Sequence, residues 1–381
     1  MSANGTGIKY LLKRAYLGSR GLCIRLLIRS RKPAMADPDS VRSILAIRID
    51  RIGDVVVSLP AIKALHAIFP NAKISTLVRR SNAALLADVP YIAEVIPYAG
   101  FRCSVARIRR MKFDIAVDML MDYSIKTAVI SFLSGAPVRA GFDIASRGRF
   151  FNIAVTPDAK EKYMSEHILD MVRSVGLFFK AEGRADWDPR PRLTVSKDAI
   201  VRMEDMLRAG GISKEESIVS IHPGGHFSSQ RWMPESFAKI ADMIAERYDT
   251  RVVIIGGSTE RKLAESITSL AKTKPVLMVG RPLNEVAAII SVSKLLICNN
   301  SGPLHMAAAL GTPTVSMMGP TDPALWRPQG DDQIVIRKRL PCSPCPAGRC
   351  DAHVCMSSIT VDEVFEKAKG ILGPIDEIKR S

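Results

Sequence analysis

A chain of 381 residues is too long for one ordinary hydrophobic core, and 47% hydrophobic with 24% charged residues excludes a disordered or collagen-like protein in favour of two middling globular domains. Its 54 lysines and arginines against 38 acidic residues leave +16 at pH 7, a balance suited to the phosphates of nucleic acid, of nucleotides or of an anionic membrane face. Nucleic acid is disfavoured as a partner, because aromatics make up only 6% and no basic stripe is interleaved with them.

The first element is "IKYLLKRAYLGSRGLCIRLLIRSRKP" at 8–33, where Leu, Ile and Tyr alternate with Lys and Arg and no acidic residue occurs. The spacing predicts a basic amphipathic segment on a membrane surface, with a disordered basic tail as the other reading. It cannot span, since no apolar run of about 18 residues is present. Residues 1–41 form this N-terminal segment.

From residue 43 short β-type runs alternate with amphipathic helical stretches, which predicts parallel sheets covered by helices. The first series has strands at 43–49, 73–78, 94–98 and 113–120, with helices at 59–69, 82–88 and 105–111. Pro60 either kinks the first of these helices or occupies its first turn after Ser58. A long helix at 166–179 leads into the polar, proline-rich "RADWDPRPRLTVS" at 184–196. The expected organisation is a first Rossmann-like domain at 42–186, a linker at 187–196 and a second domain at 197–381. The second series places strands at 217–224, 251–257, 275–280, 294–302 and 312–319, and a closing helix at 361–372. Several of these strands end in glycine or a small polar residue before a helix, the edge where open α/β sheets bind ligands.

Neither G-x-G-x-x-G after the first strand nor a P-loop occurs. Two other loops of the second domain suit a diphosphate. "HPGGHFSSQRW" at 222–232 offers Gly224 and Gly225, where backbone N–H groups approach an anion closely. "NNSGPLHMAAALG" at 299–311 opens a helix at Ser301, Gly302 and Pro303, whose amides and dipole favour negative charge. Arg231 and His305 are candidate side-chain donors to that pocket. In the first domain, "RIDRIGD" carries Asp54 behind Gly53 at the end of the first strand. A helix cap is one reading of Asp54. The other is a general base aimed into a cleft between the domains.

"RIDRIGDVVVSLPAIKAL", "IHPGGHFSSQRWMPESFAKIADMI", "VVIIGGSTE" and "NNSGPLHMAAALGTPTVSMMGPTDPALWRP" together resemble, in this order, the motifs of glycosyltransferase family 9, the heptosyltransferases. The resemblance implies a GT-B fold, two Rossmann-like domains facing a cleft, and inverting transfer of heptose from an ADP-heptose donor to the inner core of lipopolysaccharide, with no required metal or cofactor. It implies Asp54 as the catalytic base in a loop with Arg51 and Gly53 on the acceptor side. Arg231 then falls on the basic residue before the Trp-x-Pro motif, Ser301, Gly302 and His305 on the donor-binding motif, and Glu260 on the donor ribose. Gly224 and Gly225 complete the donor side. Asn300 stands where the family has Asp, which keeps a different nucleotide sugar open as the donor. The implied acceptor is a lipid-anchored saccharide met by a monomer on the cytoplasmic face of the inner membrane. A nucleotide- or nucleic-acid-binding protein without turnover is the reading of another class, and Asp54 in its Arg-x-Gly-Asp setting argues against it.

Cys342, Cys345, Cys350 and Cys355 cluster in one proline-rich loop, 342–355, with His353 among them. Their thiolates suit a structural zinc, but the spacing is not that of paired C-x-x-C motifs, so reduced or disulfide-linked thiols are the favoured alternative.

Overall fold

Parallel pairing of apolar strands builds both halves of the chain. The computed structural model describes residues 37–345 and 350–374 together with Leu17, residues 19–21, Cys23, Ile24 and Ile28. It divides into two compact units. Unit 1 holds the described residues up to Asp50, Ser58–Lys160 and Ser165–Pro189; unit 2 holds Arg51–Val57, Glu161–Met164 and the chain from Arg190 onward. Arg51–Val57 therefore belongs to unit 2, although it directly follows the first strand of unit 1.

The sheet of unit 1 contains β1 (Ser43–Arg48), β2 (Lys73–Arg79), β3 (Glu94–Tyr98), β4 (Ile115–Asp118), β5 (Val138–Phe142) and β6 (Ile153–Val155). Its order is β3-β2-β1-β4-β5-β6, and every pairing is parallel. Helices cover the sheet, so β1 is buried continuously from Ile44 to Arg48 instead of alternating. Leu45, Ile47, Leu77, Ile96 and Ile108 form one of its cores. β5 and β6 have no counterpart among the sequence expectations: Arg139 and Gly141 interrupt the apolar run of the first, and the second is three residues at the sheet edge. Most of the basic segment 8–33 lies outside the described residues. Of those described, Ile24 is buried with Ala128, Phe150 and Phe151, and Arg20 donates to the carbonyls of Tyr123 and Ala145, both at 2.9 Å. This part of the segment packs its apolar side on unit 1.

The sheet of unit 2 contains β7 (Ser217–His222), β8 (Thr250–Gly256), β9 (Val276–Val279), β10 (Leu295–Asn299), β11 (Thr314–Met317) and β12 (Gln333–Ile336), in the order β12-β11-β10-β7-β8-β9. The chain runs outward from β7 to β9 and then returns to the other side of β7 for β10. That reversal opens a crevice at the carboxyl ends of β7 and β10, the place where doubly wound sheets bind ligands. His222 pairs with Cys298 in register, so Asn299 and Ser301 emerge beside His222. The short edge strand β12 was not expected from the sequence. Trp232, 1% exposed, anchors the core with Phe237 and Ile254, and its indole N–H donates to the Ile359 carbonyl at 2.9 Å. The closing helix spans Val361–Leu372 and starts with a reciprocal cap between Thr360 and Glu363.

Cys342, Cys345, Cys350 and Cys355 are free thiols, so no disulfide joins them. Among the described residues no group of three or more His, Cys, Asp or Glu is placed to hold a metal ion. Burial, and then the neighbouring Cys345, Cys350 and Cys342, push the Cys355 thiol up. No helix among the described residues is long and apolar enough to cross a membrane.

Candidate active site

A cavity of about 920 Å³ opens at the carboxyl ends of β7 and β10, lined by residues of unit 2. Two loops make its floor. After β7 the chain turns at Pro223, Gly224 and Gly225, and Asn299 at the end of β10 holds that turn. The Asn299 amide donates to the carbonyls of Pro223 at 2.8 Å and Gly224 at 3.1 Å, while its oxygen accepts the Trp232 N–H at 2.9 Å. One buried side chain thus fixes both ends of the loop that carries Arg231. The Arg231 guanidinium donates from Nε and Nη2 to the Gly225 carbonyl at 3.0 and 2.9 Å, which orients it on the cavity wall.

The second loop ends at Ser301, the N-cap of the helix Gly302–Leu310. Pro303 fits that first turn because its missing N–H is not needed there. No side chain caps the helix, and Asn300, Ser301, Gly302 and Pro303 all line the cavity. The partial positive charge of a helix start is therefore presented to whatever occupies the cavity.

Beside it runs a polar chain. The Ser301 hydroxyl lies 3.0 Å from His222 Nδ1, and His222 Nε2 lies 3.3 Å from Glu260 Oε2, which also accepts the Gly257 N–H at 2.7 Å. Burial acts to raise the Glu260 pKa, but His222, the Gly257 N–H and the charge of Arg231 outweigh it and hold the group at about 2. Gly224 does not line the cavity. Its role is room: a Cβ there would lie 1.5 Å from Glu260 Oε1. His222 is the functional residue the sequence reading passed over, and the signal was available, since it ends a strand with only Pro223 between it and the paired glycines.

The stretch 50–54, expected as a loop, is a loop only at its start. Ile52–Val56 is a short helix capped by Arg51, and Asp54 is its third residue, so Asp54 is not the helix cap. Two glycines explain the position. A Cβ on Gly53 would approach His305 Cδ2 to 2.9 Å, and a Cβ on Gly302 would approach Ile52 Cγ2 to 1.8 Å. Their absence lets the helices Ile52–Val56 and Gly302–Leu310 meet backbone to backbone. Asp54 consequently shares the cavity wall with Ser301, Gly302 and His305, and Arg51 Nε stands 4.0 Å from its Oδ2.

His305 is 3% exposed, its ring edge-on to Trp326 with centroids 5.8 Å apart. Burial drives its pKa down to about 4 against the opposing pull of Asp54, so at neutral pH it is an uncharged imidazole. It offers a dipole to the cavity and not a cation. Arg51, Gly53, Asp54, Gly225, Arg231, Glu260, Asn300, Ser301, Gly302 and His305 thus meet on one cavity. Of the residues singled out from sequence, Gly224 alone lies behind the wall.

The model for glycosyltransferase family 9 (heptosyltransferase) matches residues 103–354. Over 311 residues the chain is 25% identical to lipopolysaccharide heptosyltransferase 2 of Escherichia coli (strain K12), covering 77% of this chain and 87% of that protein. Over 315 residues it is 26% identical to lipooligosaccharide heptosyltransferase 2 of Haemophilus influenzae, covering 77% and 88%. The solved structure of E. coli ADP-heptose lipopolysaccharide heptosyltransferase II superposes with a TM-score of 0.74 and 23% identity over 87% of this chain and 98% of that one. That likeness establishes the fold as GT-B.

Proposed function

The chain belongs to glycosyltransferase family 9, the heptosyltransferases, and on that premise we propose that it transfers a heptose from ADP-heptose to the inner core of lipopolysaccharide, or a related surface glycan, with inversion. The observation that carries this reading is Asp54 on the wall of the cavity that the start of Gly302–Leu310 and Arg231 also line. Unit 2 binds the donor, and unit 1 serves the acceptor. Glu260, a carboxylate at neutral pH, accepts the ribose hydroxyls, and Leu283 and Val286 on the cavity wall supply an apolar surface for the base.

In the reaction the acceptor hydroxyl attacks the anomeric carbon as Asp54 takes its proton. The bond from that carbon to the diphosphate oxygen breaks, and its electron pair leaves with ADP. The helix start at Ser301 and Gly302 and the Arg231 guanidinium stabilise the developing charge, so the step needs no metal ion. Arg51 flanks the base on the acceptor side. We place the enzyme as a peripheral monomer on the cytoplasmic membrane face, where +16 suits a phosphate-bearing, lipid-anchored acceptor. The uncharged Asn300 favours one second reading, the same transfer from a different nucleotide sugar.

Calorimetric titration with ADP, UDP and GDP, followed by ADP-heptose turnover on a deacylated inner-core acceptor, tests the proposal. Selective ADP binding is expected, with Asp54→Ala retaining that binding and losing about 10²- to 10⁴-fold in kcat. Undiminished turnover in Asp54→Ala would remove it as the base, and preference for UDP or GDP would move the donor.

A further inference from the structure

The helix Phe101–Met111 of unit 1 uses one side for the core and leaves the other strongly charged. Ser104 and Ile108 are buried, Val105 and Met111 pack beside them, and Arg102, Cys103, Ala106, Arg107, Arg109 and Arg110 are exposed. At 3.6 residues per turn Arg102 and Arg109 stack on one edge of the outward face and Arg110 lies at its centre. From Phe101 to Lys112 the sequence has five basic residues and no acidic one.

Internal electrostatics do not explain this pattern. Arg107 has a partner, Glu94, at 2.7 Å, whereas Arg102, Arg109, Arg110 and Lys112 make no ion pair among the described residues. The helix dipole favours Arg109 and Arg110 in the last turn, but it disfavours Arg102 in the first. Arg107 and Arg110 are a like-charged i,i+3 pair, which costs further stability. An external anion would offset these costs.

The charge continues onto the neighbouring helix Lys126–Leu133, which packs beside Phe101–Met111. Lys126 holds its ammonium 4.1 Å from the Tyr98 ring centroid. Ile24 of the basic N-terminal segment packs on that same neighbour through Ala128. At the start of the charged helix Phe101 is 38% exposed, an apolar contact of the kind that settles at a headgroup boundary.

We propose that the outward face of Phe101–Met111 is a docking surface for anionic phospholipid headgroups. This deepens the membrane placement offered above by naming the face and the lipid chemistry. An exposed helix face with spread guanidinium groups fits a plane of phosphates better than it fits one small anion, which would need an enclosing pocket.

The test is co-sedimentation of the full chain with vesicles of phosphatidylglycerol and phosphatidylethanolamine, against phosphatidylcholine alone, without donor or acceptor. Binding to the anionic vesicles only is expected. In Arg102→Gln/Arg109→Gln/Arg110→Gln it should fall about fivefold per arginine neutralised, about a hundredfold in all, while turnover on a soluble deacylated acceptor stays unchanged and reports an intact fold. Equal binding by the variant, carried by the N-terminal segment alone, would overturn the proposal. Loss of soluble-acceptor turnover with an unchanged melting temperature would also overturn it, by placing the helix in the acceptor site. A single-stranded oligonucleotide competing as well as anionic vesicles would overturn the lipid assignment. Because vesicle binding needs no sugar transfer, failure here is separable from failure of the heptosyltransferase reading.

Discussion

His305 couples the candidate site to folding. Its folded pKa of about 4 lies below the unfolded value of 6.5, because charging the ring inside the protein forfeits hydration that Asp54 does not replace. The native state therefore binds this proton less readily than the unfolded chain. Its contribution is intact above pH 6.5 and is lost progressively as the pH falls toward 4, roughly 3 kcal/mol in all. Thermal unfolding followed between pH 7 and pH 4 should fall less steeply in His305→Gln than in the parent chain; parallel curves would contradict the assignment. Site residues in contiguous motifs, such as Ser301 with Gly302, were legible in the sequence because each motif folds as one turn. The polar chain through His222 was not, because the partners of that residue are 38 and 79 residues away and only strand order brings them together.

At the scale of elements, the junction of the helices Ile52–Val56 and Gly302–Leu310 decides where Asp54 stands. Gly302→Ala adds a methyl 1.8 Å from Ile52 Cγ2, and one of the two helices must shift. Turnover should drop at least tenfold with ADP affinity less affected, since a displacement near 1 Å at a reacting group costs about 10²-fold. Adding Ile52→Ala removes the clashing methyl and should restore much of the loss. A double variant no better than Gly302→Ala would show that the glycine acts otherwise. Most long helices and buried strands could be read from apolar periodicity, down to the Val361–Leu372 bounds of the last helix. Strands β5, β6 and β12 could not: β6 and β12 are short edge strands, half-covered and tolerant of residues such as Gln333, and in the inner strand β5 Arg139 and Gly141 break the apolar run. The five-residue helix Ile52–Val56 was also hidden, being too short for periodicity and held by its tertiary neighbours.

For the whole molecule, the division into two units with their own sheets predicts two unfolding transitions, of which a nucleotide stabilises one. Trp232 and Trp326 lie in unit 2 and Trp187 in unit 1, so in a Trp187→Phe variant tryptophan fluorescence follows unit 2 alone. ADP at 100 times its Kd should raise that transition by about 2.7 kcal/mol and leave the other calorimetric transition in place. A shift of both, or of unit 1 only, would contradict the donor assignment. The sequence by itself determined the α/β class, the two strand series and the anion-favouring loops, because these rest on local chemistry: apolar period, glycine and proline turns, helix starts. Only the tertiary structure decided that Asp54, which follows the first strand of unit 1 along the chain, belongs to unit 2. It also decided that Arg147, one basic residue among 54, is fully buried and donates to Asp118 at 2.6 Å. Contacts of that kind depend on which strands become neighbours, and a local pattern of residues carries no record of that.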